Sequence, residues 1–422
     1  MNTFLTPEVQ LIATATISAL AIGGVILRPF GWPEWLFAAL GAVLLVAAQL
    51  LPLGEGLKGV ESGTDVYLFL AGMMLIAEIA RREGLFDTLA GEAARLAKGS
   101  PVRLFTLVFG VGTLVTVFLS NDATAVVLTP AVIAVTRAAK VRDPIPYLLI
   151  CAFVANAASF VLPISNPANI VVFGENMPPL LEWLTRFALP SLAAIVATYA
   201  VLLLVTRKTL GDAIETAGQT PALSRGGTFA AFGLGLAVVA LLGASAFGAD
   251  LGLPTALAGL ATLALVSIGG GKSPFPALSG VSWSTLVLVA GLFVIVRALD
   301  RIGLEAELVS MLKWAGVEAG LWAAPMIGGV VAIATNLTNH LPLGLVAGGV
   351  VEAAKVPPHI VDAVLIGIDL GPNISVTGSL ATILWLLALR REGIDYGALA
   401  FLKVGIVVTL PALALALAAL ML

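Results

Sequence analysis

The apolar residues of this chain come in long runs, and the runs come in two sets. The first set lies near 8–27, 34–53, 64–80, 104–119, 123–136, 146–173 and 187–206. After a polar stretch of both charge signs, Arg207 to Arg225, a second set follows near 227–247, 252–268, 283–299, 318–335, 341–354, 362–389 and 397–421. A helix needs about 20 apolar residues to cross the hydrocarbon core of a bilayer. The runs are apolar at consecutive positions, whereas barrel strands would alternate, so a β-barrel is excluded. Composition agrees: 59% of the 422 residues are hydrophobic and 11% are charged, against roughly 25% charged in an ordinary soluble domain. The expected fold is an all-α polytopic membrane protein.

The two sets share order, spacing and residues. Ala71 to Leu85 (AGMMLIAEIARREGL) aligns with Ala290 to Leu304 (AGLFVIVRALDRIGL) without a gap, so Gly72 faces Gly291 and Gly84 faces Gly303. Further on, Ser120-Asn121-Asp122 falls on Thr338-Asn339-His340, and Asn156 falls on Asp369. A duplicated unit is expected, with residues 1–206 as the first repeat, 207–226 as a cytoplasmic linker and 227–422 as the second repeat. Many membrane transporters are built from such repeats, with polar sites near the midplane where irregular helices meet.

Positive charge orients the repeats. If 104–119 with 123–136, and 318–335 with 341–354, are re-entrant hairpins, each half crosses five times. With both termini outside, the outer loops hold Lys58, Arg186, Arg297, Arg301, Lys313 and Lys355, and the other sixteen of the 22 Lys and Arg residues fall inside. That asymmetry predicts an inverted repeat, each half having about five transmembrane helices, one re-entrant hairpin and a broken helix at the midplane. Residues 86–99 are too polar to cross and read as a helix along the cytoplasmic interface. Met1 to Glu8 lack the basic segment of a secretory leader, so the first run is expected to be retained.

Several function classes drop out. Two His and one Cys supply no disulfide or thiolate metal site, and Cys151 reads as a packing residue. A net charge of −3 without a basic stripe offers nothing to nucleic acid. No nucleophile or metal set marks an integral-membrane enzyme, and no cofactor is expected.

Polar groups deep in apolar sequence are costly and tend to mark function. Four clusters qualify: Ser120-Asn121-Asp122-Ala123-Thr124 at the first hairpin turn, Leu162 to Asn169 (LPISNPAN) inside the run 146–173, Thr335 to His340 (TNLTNH) at the second hairpin, and Asp369 to Ser379 (DLGPNISVTGS) inside 362–389. Proline removes a backbone donor, while Asn, Ser and Thr satisfy backbone groups freed at a break. Asp122, His340 and Asp369 are the ionisable members, able to exchange protons there. Their structural alternatives are a hairpin N-cap for Asp122, a kink partner for Asp369 and a hydrogen-bond partner for His340. Glu78 with Arg81, and Arg297 with Asp300, read as helix-end charges paired at i, i+3.

At LSNDATAVVLTP (Leu119 to Pro130), PISNPANIVVFGENMP (Pro163 to Pro178), TNLTNHLPLGLVAG (Thr335 to Gly348) and IGIDLGPNISVTGSLATILWLLALRREG (Ile366 to Gly393), the sequence resembles the arsenite and antimonite efflux permeases of the ion-transporter superfamily. The resemblance implies a secondary transporter of the inner membrane that exports the neutral trivalent hydroxide in exchange for protons. Carboxylate carriers of the superfamily carry Ser-Asn-Thr at the hairpin tip; here Asp122 takes the third place, and a fixed carboxylate would repel a dicarboxylate. Implied substrate-binding residues are Asn121, Thr124, Ser165, Asn166, Asn169, Thr338, Asn339, Asn373, Ser375 and Thr377, around an inward-facing pocket. Implied proton-coupling residues are Asp122, His340 and Asp369. Soft thiolates would hold arsenic(III) too tightly for release, so amide and hydroxyl groups suit the lining, and no metal beyond the substrate is expected. The implied partners are arsenite or antimonite, protons and the lipid bilayer, with a cytoplasmic ATPase subunit left open. A sodium/proton antiporter with Asp122 and Asp369 as ion ligands is the alternative.

Overall fold

A computed structural model describes residues 6–211, 214–215 and 222–422, which form helices joined by turns and loops with no strand among them. Parts of the expected linker (212–213 and 216–221) and of the expected outer N-terminus (1–5) lie outside the described residues.

Local chemistry sets the first boundaries. α1 (Pro7–Leu27) starts where the Thr6 hydroxyl accepts the Val9 amide and Pro7 takes the first helical position, and it ends at Arg28 in a left-handed conformation. α2 (Glu34–Ala47) is only 14 residues long, so the expected run 34–53 does not form one helix. Pro52 starts α3 (Leu53–Ser62), which meets α4 (Thr64–Arg82) at a bend of 47°. Gly84, at φ +73°, turns the chain into α5 (Leu85–Ala97). This amphipathic helix buries Leu85, Phe86, Ala90, Ala93, Ala94 and Ala97 and leaves Asp87 and Arg95 exposed, in keeping with the surface helix expected over 86–99.

The first hairpin runs down α6 (Pro101–Phe118) and returns through a short turn of helix, α7 (Asn121–Ala123), a π-helical turn over Thr124–Leu128, and α8 (Thr129–Ala138). A broken helix follows as α9 (Ile145–Ala157) and α10 (Pro167–Phe173), and α11 (Leu180–Thr206) closes the first set. The order then recurs. α12 (Arg225–Ala246), α13 (Gly252–Gly270), the short α14 (Phe275–Gly280) and α15 (Ser284–Arg301) match α1 to α4. α16 (Leu304–Glu318), entered through Gly303 at φ +92°, matches α5. α17 (Ala323–Thr338) and α18 (His340–Ala354) make the second hairpin, α19 (Pro358–Leu370) and α20 (Leu380–Arg391) the second broken helix, and α21 (Ala398–Ala419) matches α11.

Exchanging the two sets maps the packing onto itself. α4 lies on α13 as α15 lies on α2; α6 lies on α9 as α17 lies on α19; α11 lies against α21. Between lipid-solvated helices, association depends on close backbone approach at small residues. Gly72 and Gly291, equivalent in the sequence, show it: a Cβ on Gly72 would strike the backbone of Thr255 in α13, and one on Gly291 the backbone of Ala38 in α2. Among the described residues, seven helices are long and apolar enough to cross a membrane, or eight if α3 and α4 form one bent span. The chain is a multi-pass membrane protein.

Candidate functional site

The four polar clusters become four helix starts. Ser120 caps the arm α7–α8, its Oγ accepting the Ala123 amide at 3.1 Å, and Asn121 Oδ1 accepts the Asp122 amide at 2.9 Å. The cap is therefore Ser120, which corrects the N-cap alternative for Asp122: the serine side chain is short enough to fold back on its own turn, and this leaves the carboxylate free to point outward. Thr124 sits within 2.8 Å of the Thr116 hydroxyl across the hairpin. The π turn that follows is a feature often retained at functional sites.

At the second hairpin, Asn339 caps α18 through Oδ1 on the Leu341 amide (3.4 Å) and donates Nδ2 to the Thr377 carbonyl (3.4 Å). Its φ of +70° with ψ 150° is sparsely populated for a side-chain-bearing residue and costs about 1–3 kcal/mol, which these bonds help offset. His340 is buried with Nδ1 3.4 Å from the Gly378 carbonyl. Thr338 bonds back to the Ala334 carbonyl.

In the first break, Asn166 caps α10, accepting the Ala168 amide at 3.1 Å, with Pro167 at the first helical position. Asn169 donates Nδ2 toward the carbonyls of Ser159, Leu162 and Pro163 at 3.0–3.3 Å, and Ser165 donates to the Val117 carbonyl at 2.8 Å. In the second break, Asn336 does the corresponding work. It donates to the Gly371 carbonyl, accepts the Ser375 hydroxyl at 2.6 Å, and accepts Thr377 on its backbone oxygen at 2.9 Å.

The two breaks are tied directly together. Asp369 accepts Ser159 Oγ at 2.7 Å and Asn166 Nδ2 at 2.8 Å. Asn373 accepts Asn156 Nδ2 at 2.9 Å and donates to the Phe153 carbonyl at 2.9 Å. All six groups are buried.

A cavity of about 570 Å³ reaches this assembly from one side. It is lined by Ser120, Asp122, Pro167 and Leu380, from the starts of three helices, and by Glu78, Arg81, Arg391 and Glu392. Of the residues proposed from sequence, Asp122 alone is on the cavity wall; Asp369 lies behind it, and Asn373, Ser375 and Thr377 are engaged within the breaks. Asn121 Nδ2 and Asn169 Oδ1 are buried without a hydrogen-bond partner. They are an unused donor and an unused acceptor in the site's own clusters. Sequence reasoning missed Ser120 and Asn336 as individual site residues, although both stand inside the clusters. It passed over Ser159, which carries no local signal. A second cavity of about 410 Å³, between Phe173, Arg186, Val351 and Pro358, lies at the far ends of α10 and α18 and holds no polar residue of the four clusters. No group of three or more His, Cys, Asp or Glu residues suited to a metal occurs among the described residues.

Glu78 is held by Arg81 and Arg82 at 2.5–2.7 Å, the helix-end pairing expected there, whereas Arg297 bonds chiefly to Glu55 of α3 at 2.9–3.2 Å, with Asp300 at 3.7 Å.

Two helical hairpins, two helices broken at polar clusters and a cavity lined by the starts of α7, α10 and α20 define a multi-pass membrane transporter. The comparisons carry this further. A family model described as citrate transporter matches residues 18–389. An arsenical pump membrane protein of Escherichia coli K12 is 30% identical over 97% of this chain and 98% of its own length, and another from Escherichia coli is 28% identical with the same coverage. An uncharacterized transporter of Mycobacterium tuberculosis is 26% identical over 90% of the chain and 91% of its own. The crystal structure of the Alcanivorax borkumensis YdaH transporter shares the fold at a TM-score of 0.59 and 16% identity, covering 87% of this chain and 86% of that one. The chain belongs to the citrate-transporter family and, within it, to the arsenical pump membrane proteins.

Proposed function

We propose that this protein exports arsenite or antimonite, as the neutral trivalent hydroxide, from the cytoplasm in exchange for protons. The observation that carries this reading is Asp122. Its carboxylate stands on the wall of the cavity with no ion-pair partner among the described residues, where a citrate-like anion would meet repulsion and a neutral solute would not. The hydroxyls of arsenous acid both donate and accept; Asn121 Nδ2, beside the cavity-lining Ser120 and Asp122 in the chain, and Asn169 Oδ1, in the helix begun by the cavity-lining Pro167, are buried unused groups that would meet it once the wall opens. Asn166, Asn339, Asn373 and Ser375 shape the surrounding breaks; Asp122 and Asp369 take protons from outside and release them inside.

The charge asymmetry supports inverted repeats over 1–206 and 227–422 in the inner membrane, with both termini outside and the 207–226 linker cytoplasmic. Arg81 and Arg391, which this reading puts inside, line the cavity, which supports an opening toward the cytoplasm. A sodium/proton antiporter is the second reading, favoured by Asn169 Oδ1 as a free oxygen ligand. In everted vesicles, Asp122→Asn is expected to abolish gradient-driven arsenite uptake; unimpaired uptake by that variant would sink the assignment.

A further inference from the structure

The Ser159 hydroxyl stands between two acceptors. Its Oγ is 2.7 Å from Asp369 Oδ2 and 2.8 Å from the Asn156 carbonyl oxygen, and a hydroxyl has one hydrogen to give. Asp369 Oδ1 is already occupied by Asn166 Nδ2 at 2.8 Å. The site is fully buried, so an unmade hydrogen bond there has no water to turn to.

We infer that Ser159 is a positioning residue for the coupling step, a two-way hydroxyl that keeps Asp369 satisfied whether or not it holds a proton. With Asp369 ionised, Ser159 donates to Oδ2. When a proton arrives on Oδ2, the new carboxyl O–H donates to Ser159 Oγ, and the serine hydrogen turns to the Asn156 carbonyl. Loss of the proton reverses the rotation. Ser159 gains and loses no proton, Asn166 keeps its bond throughout, and neither state leaves a buried donor or anion stranded. The Asn156 carbonyl can receive the hydrogen because it lies at the end of α9, where the amides reaching it are the shared capping N–H of Ala158 and a long contact from the Ser159 N–H at 3.4 Å, which leave room for the hydroxyl.

No charge competes for this role. The titratable and charged residues on the elements packed against α19 are Tyr147 and Cys151 of α9, His340 and Glu352 of α18, Glu182, Arg186 and Tyr199 of α11, Lys403 of α21, and His359 and Asp362 of α19 itself; α10 and α17 carry none. Asp362 is taken by Arg186, His340 is directed to Gly378, and among the described residues the side chains hydrogen-bonded to Asp369 are Ser159 and Asn166. A serine on a broken helix of one half thus serves a carboxylate on the broken helix of the other, 210 positions away.

The inference rests on the proton-exchange reading, and the experiment separates the two. Everted vesicles bearing wild-type protein, Ser159→Ala or Ser159→Thr are assayed for proton-gradient-driven arsenite uptake and for arsenite counterflow, which exchanges substrate for substrate and needs no proton to be loaded. Ser159→Ala is expected to lose gradient-driven uptake by about tenfold or more, the effect of removing one donor from a charged acceptor. Its counterflow should stay within about twofold of wild type, and Ser159→Thr should keep both activities. Equal loss of both activities in Ser159→Ala would reduce the residue to a structural one, and retention of both would also overturn the inference. Wild-type counterflow without any response to the proton gradient would remove the coupling reading, and this inference with it.

Discussion

Asn166 performs two tasks with one side chain, and removing it separates them. Its Oδ1 caps α10 on the Ala168 amide and its Nδ2 donates to Asp369. Loss of an N-cap costs about 1 kcal/mol, and loss of a donor to a buried charged acceptor about 1.5–3 kcal/mol. Asn166→Ala should therefore destabilise the protein by about 2.5–4 kcal/mol. Asn166→Ser keeps a capping oxygen and gives up the reach to Asp369, so it should recover about 1 kcal/mol of that. In detergent, the apparent melting midpoint should fall by roughly 3–5 °C for the alanine variant and less for the serine. The alanine variant should also lose gradient-driven transport, because Asp369 loses one of its two side-chain partners across the breaks. An Asn166→Ala protein that melts and transports like wild type would refute the view that Asp369 is held by this contact.

Other expectations follow from the same geometry. Gly348 lies where a Cβ would press on the Val171 and Val172 carbonyls of α10, so Gly348→Leu should destabilise by about 1–3 kcal/mol or more, seen as a lower melting midpoint. Arg186 pairs with the buried Asp362 and stacks on Phe173 and Phe187; Arg186→Gln should cost about 3–5 kcal/mol by stranding the carboxylate, and adding Asp362→Asn should return part of it. Glu305, at the start of the surface helix α16, has its carboxyl held above the ordinary range by burial first and then by Asp300 and Glu352. A raised acid binds its proton more tightly folded than unfolded, so its contribution is present at low pH and lost as pH rises. Glu305→Gln should accordingly raise the melting midpoint near pH 8 and change it little near pH 4.

Much of the architecture was legible because the duplication is written in residues that perform the same backbone task twice. Gly72 and Gly291 align because each lets a helix press on its neighbour, and Gly84 and Gly303 because each turns the chain into a surface helix at positive φ. The four polar clusters were legible because polar side chains inside apolar runs mark where a helix stops and restarts, and Ser120, Asn166, Asn339 and Ser379 cap the restarts. The division of the run 34–53 was obscured, since Pro52 sits among residues as apolar as any span. The surface role of α16 was hidden by Leu304, Leu308 and Trp314, which dilute its polar character. Ser159 was invisible for a different reason. A lone serine after Ala157 and Ala158 looks like packing, and it gains meaning only when folding brings Asp369 to within 2.7 Å. Cys151, read as a packing residue, is fully buried in the main core.

The central claim is proton-driven movement of a neutral arsenical, and arsenite uptake into everted vesicles tests it most directly. Uptake should accelerate when an acid-inside gradient is imposed and should be indifferent to a sodium gradient. An absence of arsenite movement, with sodium collapsing the proton gradient instead, would contradict the account and assign these same residues to cation exchange.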